Sequence, residues 1–115
     1  MPPVELGEVM RGGTIGVVVS SPSGRFQQGQ IVNPGIGGWQ DYTLAAEAMT
    51  TPVPVAPGVP LTAYMSVLGM TGLTAWAGVV DIGRPQPGET VVVSAAAGAV
   101  GSIAGQIAKI RGCTV

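Results

Sequence analysis

The sequence predicts a mixed α/β chain in which an antiparallel, barrel-like half precedes the first strand–helix unit of a parallel sheet. Three observations lead to this prediction. Residues 1–60 alternate short β-type runs with turns rich in glycine and proline. From about residue 61 the apolar residues follow helical spacing instead. A β-branched run at 90–94 then leads through a turn of small residues into a second helical segment.

The first half holds three predicted strands, at residues 14–19, 30–32 and 39–44. The first two are rich in valine and isoleucine, and the third contains aromatic residues, which favour strands. Residues 24–29 predict a turn between the first two strands. Four prolines then predict a linker without regular structure: Pro52, Pro54, Pro57 and Pro60. We therefore assign residues 1–60 to a partial antiparallel barrel.

Two helices are predicted in residues 61–115, which we assign to the start of a second domain. The first has apolar residues at i, i+3, i+4 and i+7, namely Leu73, Trp76, Ala77 and Val80. Thr71 can cap its start, and Gly83 with Pro85 can end it. The second helix is predicted at 99–111, with Gly112 as its terminator.

The run Thr-Val-Val-Val-Ser at 90–94 is typical of a parallel strand that is buried on both faces. Residues 113–115 would begin the next strand, with Cys113 as a buried strand residue and not a nucleophile. Because an apolar strand that stops at its first residues cannot complete a sheet, we expect the chain to be truncated there. We also expect no signal peptide, since residues 1–5 have neither a basic nor an apolar region.

Composition excludes several classes of function. The chain has 115 residues, no histidine, one cysteine and a net charge of −1. Its five basic residues are scattered, so a nucleic-acid surface has no electrostatic support. Without histidine and with a single thiol, the chain can form neither an internal disulfide nor a zinc cluster from its own residues. The low cysteine content also fits a reducing, cytoplasmic compartment.

Two uncharged stretches leave a membrane alternative open. Residues 61–80 and 90–108 contain no charged side chain, and each is long enough to span a bilayer. Gly101 and Gly105 form a GxxxG pair, which promotes helix packing in membranes. Against this alternative, the first stretch holds several serine, threonine and glycine residues, and the second changes midway from β-branched residues to alanine and glycine.

The turn at residues 95–101, Ala-Ala-Ala-Gly-Ala-Val-Gly, is the candidate binding motif. Ala96, Gly98 and Gly101 take the three small-residue positions of a dinucleotide fingerprint. Ala96 would allow a tight turn, Gly98 would let the backbone approach a pyrophosphate, and Gly101 would let the helix lie close to the strand. The phosphate would meet free N–H groups at the helix N-terminus. Tight helix–sheet packing alone is the alternative explanation of these glycines.

Four segments resemble one family. Residues 91–113 resemble the nucleotide-binding turn of the leukotriene B4 dehydrogenase, prostaglandin reductase and curcumin reductase group, a zinc-independent branch of the medium-chain dehydrogenase/reductase superfamily. Residues 68–76, Leu-Gly-Met-Thr-Gly-Leu-Thr-Ala-Trp, are similar to its Leu-Gly-Met-Pro-Gly-Leu-Thr-Ala-Tyr. Residues 39–42, Trp-Gln-Asp-Tyr, and 3–13 also match family segments. The departures at Thr71, Trp76 and Gln30 look tolerable and leave this assignment in place.

The resemblance implies that residues 1–60 form a partial GroES-like barrel. It implies that residues 61–115 start a Rossmann-like nucleotide-binding domain with the first βα unit of its parallel sheet. It implies hydride transfer from NADPH to the activated double bond of an α,β-unsaturated ketone or aldehyde, by a homodimeric enzyme. The pyrophosphate would be held by the backbone of four residues, Gly98, Ala99, Val100 and Gly101. Met70 and Thr74 would flank the nicotinamide, and Gly35 and Ile36 would contact the substrate.

Several of these roles have structural alternatives. Met70 could instead fill the core, and Thr74 could be an ordinary hydroxyl on a helix surface. Trp39 is expected to anchor the core rather than to line a substrate site. The catalytic tyrosine of the family would lie outside this chain, so no catalytic residue is assigned. A non-enzymatic barrel module that binds no dinucleotide remains the alternative to a reductase.

Overall fold

The computed structural model describes residues 3–115, and the chain forms two compact units. The first unit ends at Leu61, and the second is Thr62–Val115. The first unit contains five short strands: β1 (Arg11–Gly13), β2 (Gly16–Val17), β3 (Ile31–Asn33), β4 (Ile36–Gly38) and β5 (Thr51–Pro52). The strands form two antiparallel sheets, one pairing β1 with β4 and one in the order β2-β3-β5.

Glycines occur in the β1–β4 ribbon where neighbouring side chains lie close to its backbone. Gly12 pairs with Gly37, and neither has room for a β-carbon. The indole of Trp39 lies against Gly12, and the Thr14 hydroxyl lies against Gly37. The ribbon is extended by a hydrogen bond from the Trp39 N–H to the Met10 carbonyl at 2.9 Å. The small core of this unit contains Phe26 and Val32.

Three strand predictions for the first unit need correction. The strand predicted at 14–19 is confined to Gly16–Val17, and the one predicted at 30–32 lies at Ile31–Asn33. The strand predicted at 39–44 is wrong, because pairing occurs at Ile36–Gly38 instead. The backbone bends directly after this strand, where the Gln40 N–H bonds to the Gly38 carbonyl at 2.9 Å.

Two further predictions for the first unit are wrong. Pro52, which we assigned to a linker, pairs with Val32 as part of β5. Proline is tolerated there because β5 is an edge strand of its sheet. Trp39 does not anchor a core, since 72% of its surface is exposed.

The second unit contains three helices, α1 (Leu61–Tyr64, which begins at the unit boundary), α2 (Met70–Trp76) and α3 (Ala99–Ile110). The predicted helix around Leu73 and Trp76 is therefore confirmed. It continues past Trp76 as a π-helical segment, Ala77–Gly83, and packs against α3. Buried small side chains, Ala75 and Ala108, mark the packed region.

The start of α2 differs from the prediction. Gly69, and not Thr71, is the N-cap residue, and it makes no side-chain capping bond. Thr71 lies inside the first turn, where its hydroxyl donates to the Ser66 carbonyl at 2.9 Å. Glycine is needed at position 72, because a β-carbon there would overlap the Val67 carbonyl.

The strand predicted at 90–94 is reduced to a single parallel bridge between Thr90 and Thr114. Val91 donates to the Thr114 carbonyl at 2.8 Å, and Thr114 donates to the Glu89 carbonyl at 2.9 Å. The pairing direction agrees with a parallel sheet, but no strand pairs with residues 92–94 in the described part of the chain. Cys113 is buried, as predicted.

The second predicted helix is confirmed, since α3 covers Ala99–Ile110. It ends before Gly112, whose φ of +84° favours glycine. Bilayer spans need about 20 residues, and within residues 3–115 no helix combines the length and apolar character for crossing a membrane.

Candidate functional site

The turn that leads into α3 presents a row of unbonded backbone N–H groups. Gly98, the N-cap residue, is extended, and its N–H donates to the Ala95 carbonyl at 2.8 Å. The first bond of the helix runs from the Ser102 N–H to the Gly98 carbonyl at 2.9 Å. Within residues 3–115, the N–H groups of Ala99, Val100 and Gly101 have no acceptor, as expected for a first helical turn.

These N–H groups can face a ligand because the turn is open. Residues 94–100 are exposed, and no side chain caps the helix. Residues 90–108 carry no charged side chain, so the positive potential here comes from the helix dipole. The basic residues Lys109 and Arg111 lie at the opposite end of α3. The arrangement therefore suits an anion bound by backbone groups.

The two glycines of the turn have different surroundings. A β-carbon at Gly101 would overlap the Ala95 carbonyl, so this position admits only glycine without a shift of the turn. A β-carbon at Gly98 would meet only the Ala95 oxygen, at 3.1 Å. The φ of Gly98 is −75°, which any residue can adopt. Gly98 is therefore not required by its backbone conformation. A β-carbon there would be tight against the Ala95 oxygen but would meet no other atom.

A concave surface of about 420 Å³ lies beside the turn. It is lined by Gly98, Val100 and Gly101 together with residues 91–95, and Val79 and Ala104 complete it. A second concavity, of about 510 Å³, shares Gly101 but is lined mainly by the side of α3 and the last three residues. The first of the two brings together three of the four residues predicted to hold a pyrophosphate.

The other predicted site residues lie elsewhere. Met70 begins α2 and is 76% exposed, so it does not fill the core. The Thr74 hydroxyl donates to the Met70 carbonyl at 2.7 Å and is bonded to its own helix. Neither lines the concavity beside the turn, and Ala99 does not line it either.

The two predicted substrate contacts belong to the first unit. Gly35 has a φ of +76°, and its N–H donates to the Asn33 side chain at 2.8 Å. This tight turn joins β3 to β4 and leaves Ile36, the first residue of β4, 62% exposed. Gly35 and Ile36 are thus presented at the surface of that unit.

Sequence analysis missed one residue of the turn. Ala95 has a φ of +49°, a left-handed conformation that is uncommon for alanine. Because Ala95 is followed by two more alanines, the sequence contains no signal that singles it out. In the described part of the chain, no three or more histidine, cysteine, aspartate or glutamate residues come together in a metal-binding group.

Comparison with known proteins connects this geometry to a family. A family model described as the N-terminal domain of oxidoreductase matches residues 1–53. The chain is 46% identical to the NADPH-dependent curcumin reductase of Escherichia coli over 114 residues, which cover 99% of this chain and 32% of that protein. It is 43% identical to prostaglandin reductase 1 of Mus musculus over 111 residues, which cover 95% of this chain and 33% of the mouse protein.

The structural similarity extends over nearly the whole chain. The crystal structure of CurA from Vibrio vulnificus in complex with NADPH superposes with a TM-score of 0.79 and 42% sequence identity. The match covers 98% of this chain and 33% of that structure. The chain therefore spans about a third of the length of the relatives that it matches. On its sequence, its fold and these relatives, the chain belongs to the zinc-independent prostaglandin and curcumin reductase group of the medium-chain dehydrogenase/reductase superfamily.

Proposed function

We propose that the chain is part of an NADPH-dependent reductase and that the first turn of α3 binds the pyrophosphate of the cofactor. The observation that supports this most directly is the row of unbonded N–H groups at Ala99, Val100 and Gly101, beside a concavity that Gly98 keeps open. A relative that is 42% identical and shares this fold was crystallised with NADPH. Below, "the full-length reductase" means this chain joined to the remaining two thirds of such a protein.

NADPH would supply a hydride for reduction of the substrate. The chain's own contribution would be positioning. The N–H groups of α3 would hold the diphosphate without any charged side chain, since residues 90–108 carry none. Met70, exposed at the start of α2, and Thr74, one turn later, would flank the nicotinamide. While the Thr74 hydroxyl donates to the Met70 carbonyl, its oxygen could still accept a hydrogen bond from the cofactor.

We further propose that the substrate is an α,β-unsaturated ketone or aldehyde. The names of several relatives support this class: curcumin reductase, 2-alkenal reductase and pulegone reductase. Gly35 and Ile36 would contact the substrate from the first unit, which would form part of a GroES-like barrel. The second unit would begin a Rossmann-type sheet with the Thr90–Thr114 bridge as its first parallel contact. The reductase would be a cytoplasmic homodimer.

A matched pair of glycine substitutions tests the pyrophosphate site. Gly98→Val should weaken NADPH binding to the full-length reductase about tenfold or more, because a branched side chain would fill the space that the diphosphate needs. Gly78→Val is the control, since a β-carbon at Gly78 has no neighbour within 4 Å. Isothermal titration calorimetry with NADPH measures both. If Gly98→Val and the unsubstituted protein bind NADPH equally well, the glycines of the turn serve only in helix packing.

The activity is tested by incubating the full-length reductase with NADPH and a simple enone, with a saturated ketone of equal length as the control. NADPH absorbance should fall with the enone and stay constant with the saturated ketone. A fall with the saturated ketone but not with the enone would contradict double-bond reduction. A full-length protein that binds no NADPH would instead favour the non-enzymatic barrel module.

A further inference from the structure

The left-handed conformation of Ala95 requires a local explanation. Among residues 3–115 the other non-glycine residue with a positive φ is Arg84, which directly follows the π-helical segment. Left-handed residues are common at such helix ends, because they satisfy the last carbonyl groups. Ala95 ends no helix and precedes α3 instead. The conformation is unfavourable for a residue with a β-carbon, so the surrounding turn must hold it in place.

The contacts of the Ala95 carbonyl show what this conformation achieves. Its oxygen accepts the Gly98 N–H at 2.8 Å and lies against the α-carbon of Gly101. One carbonyl group is thus fixed between the N-cap residue and the first turn of α3. Because it takes up the N–H of the N-cap residue Gly98, the unbonded N–H groups of α3 are those of its first turn, from Ala99 onward. Ala95 also lines the concavity beside the turn.

We propose that Ala95 is a positioning residue: its left-handed backbone sets the orientation in which the first turn of α3 presents its N–H groups to the pyrophosphate. This inference rests on the proposed function, because it assumes that NADPH binds at this turn. It assigns Ala95 no contact with the reacting atoms. It predicts that affinity for the cofactor depends on how well residue 95 tolerates a positive φ, and not on the size of its side chain.

Two substitutions of similar size separate these explanations. Asparagine adopts the left-handed conformation more readily than most residues, whereas β-branched valine adopts it poorly. In the full-length reductase, Ala95→Asn and Ala95→Gly should bind NADPH within about threefold of the unsubstituted protein, and Ala95→Val should bind about tenfold more weakly. Equal losses for Ala95→Asn and Ala95→Val would overturn the proposal, because they would show that size alone matters.

A second ligand distinguishes positioning from general damage. Adenosine 2′-monophosphate has the adenine and the ribose phosphate of NADPH but lacks the pyrophosphate. Its affinity should be the same in all four proteins, measured by calorimetry alongside NADPH. Parallel loss of both ligands in Ala95→Val would contradict a role confined to the turn.

If Ala95→Val does not fold, Ala95→Ser replaces it. Serine is smaller than asparagine but tolerates a positive φ less well, so the proposal expects Ala95→Asn to bind NADPH more tightly than Ala95→Ser. The reverse order would overturn it. The two proposals fail differently: an unsubstituted full-length protein that does not bind NADPH removes the proposed function. The role of Ala95 alone is removed by a different set of results. In that case the unsubstituted protein binds NADPH and Gly98→Val weakens the binding, but Ala95→Asn and Ala95→Val bind NADPH equally well.

Discussion

The carbonyl group of Ala95 lies so close to the α-carbon of Gly101 that a β-carbon at Gly101 would overlap it. The same position would be 3.0 Å from the α-carbon of Ala96. The turn and the helix that follows are therefore packed backbone to backbone. A β-carbon at Gly105, one turn further along α3, would meet only the Val115 side chain, at 3.5 Å, which is an ordinary contact.

This difference predicts opposite effects for two equal substitutions on one helix. In the full-length reductase, Gly101→Ala should lower the free energy of unfolding by about 1–3 kcal/mol, because the turn must move. Gly105→Ala should leave it unchanged or raise it by up to about 1 kcal/mol, since alanine favours helix. Urea denaturation followed by circular dichroism measures both. A loss of stability in Gly105→Ala equal to that in Gly101→Ala would contradict the close approach of Ala95.

A second pair of glycines tests the packing of α2. A β-carbon at Gly72 would overlap the Val67 carbonyl, whereas one at Gly78 has no neighbour within 4 Å. Gly72→Ala should therefore destabilise the full-length reductase by about 1–3 kcal/mol, and Gly78→Ala should not. Amide exchange along α2 provides the measurement. Unchanged protection in Gly72→Ala would mean that the preceding turn, residues 65–69, moves aside freely.

The 115-residue chain on its own is expected to have no alkene reductase activity. Hydride transfer needs the nicotinamide held within reach of the substrate, and the chain provides about a third of the length of its relatives. NADPH oxidation with an enone, compared with a reaction without protein, is the assay. Steady turnover above that background would refute the prediction.

No metal should bind stoichiometrically to the purified chain. It has no imidazole, and its one thiol, Cys113, is buried. A tetrahedral site of nitrogen and sulfur ligands needs several such side chains. Elemental analysis after dialysis tests this, with Cys113→Ser as a control. One zinc ion per chain that persists in Cys113→Ser would contradict the prediction.

The isolated chain should also associate, and its amides at 92 and 93 should exchange quickly with solvent. Val91 bonds to Thr114, but Val92 and Val93 make no backbone hydrogen bond in the described part of the chain, and Val92 is 92% exposed. Unpaired apolar strand segments promote edge-to-edge aggregation, and a net charge of −1 gives little repulsion.

Light scattering at increasing concentration and hydrogen exchange resolved by residue measure these two properties. Val91 is the internal reference, since its N–H is bonded. A monomer that melts cooperatively, with Val92 and Val93 as protected as Val91, would contradict the prediction.

The features that the sequence predicted best depend on local patterns. The start of α3 at Ala99 follows from a small-residue turn and an apolar helical period, both of which are local. The prediction of a strand at 90–94 was wrong because strand pairing depends on neighbours far along the chain. Within residues 3–115 only Thr114 pairs with this segment. Local propensity cannot supply such a partner.

The remaining differences come from glycines and from backbone conformation. β4 contains Gly37 and Gly38, which have no β-propensity, so the neighbouring aromatic residues drew the prediction to 39–44. The π-helical continuation of α2 keeps the apolar pattern of an α-helix, and Ala95 adopts a conformation that its residue type disfavours. None of these has a distinctive signature in residue type or spacing.

Each unit contains one of the two tryptophans, Trp39 in the first and Trp76 in the second, and each indole is at least half exposed. Each unit thus has a single source of tryptophan emission. Trp39→Phe leaves tryptophan emission from the second unit alone, and Trp76→Phe leaves it from the first. With these two variants, unfolding of the two units can be recorded separately by fluorescence, without an attached dye.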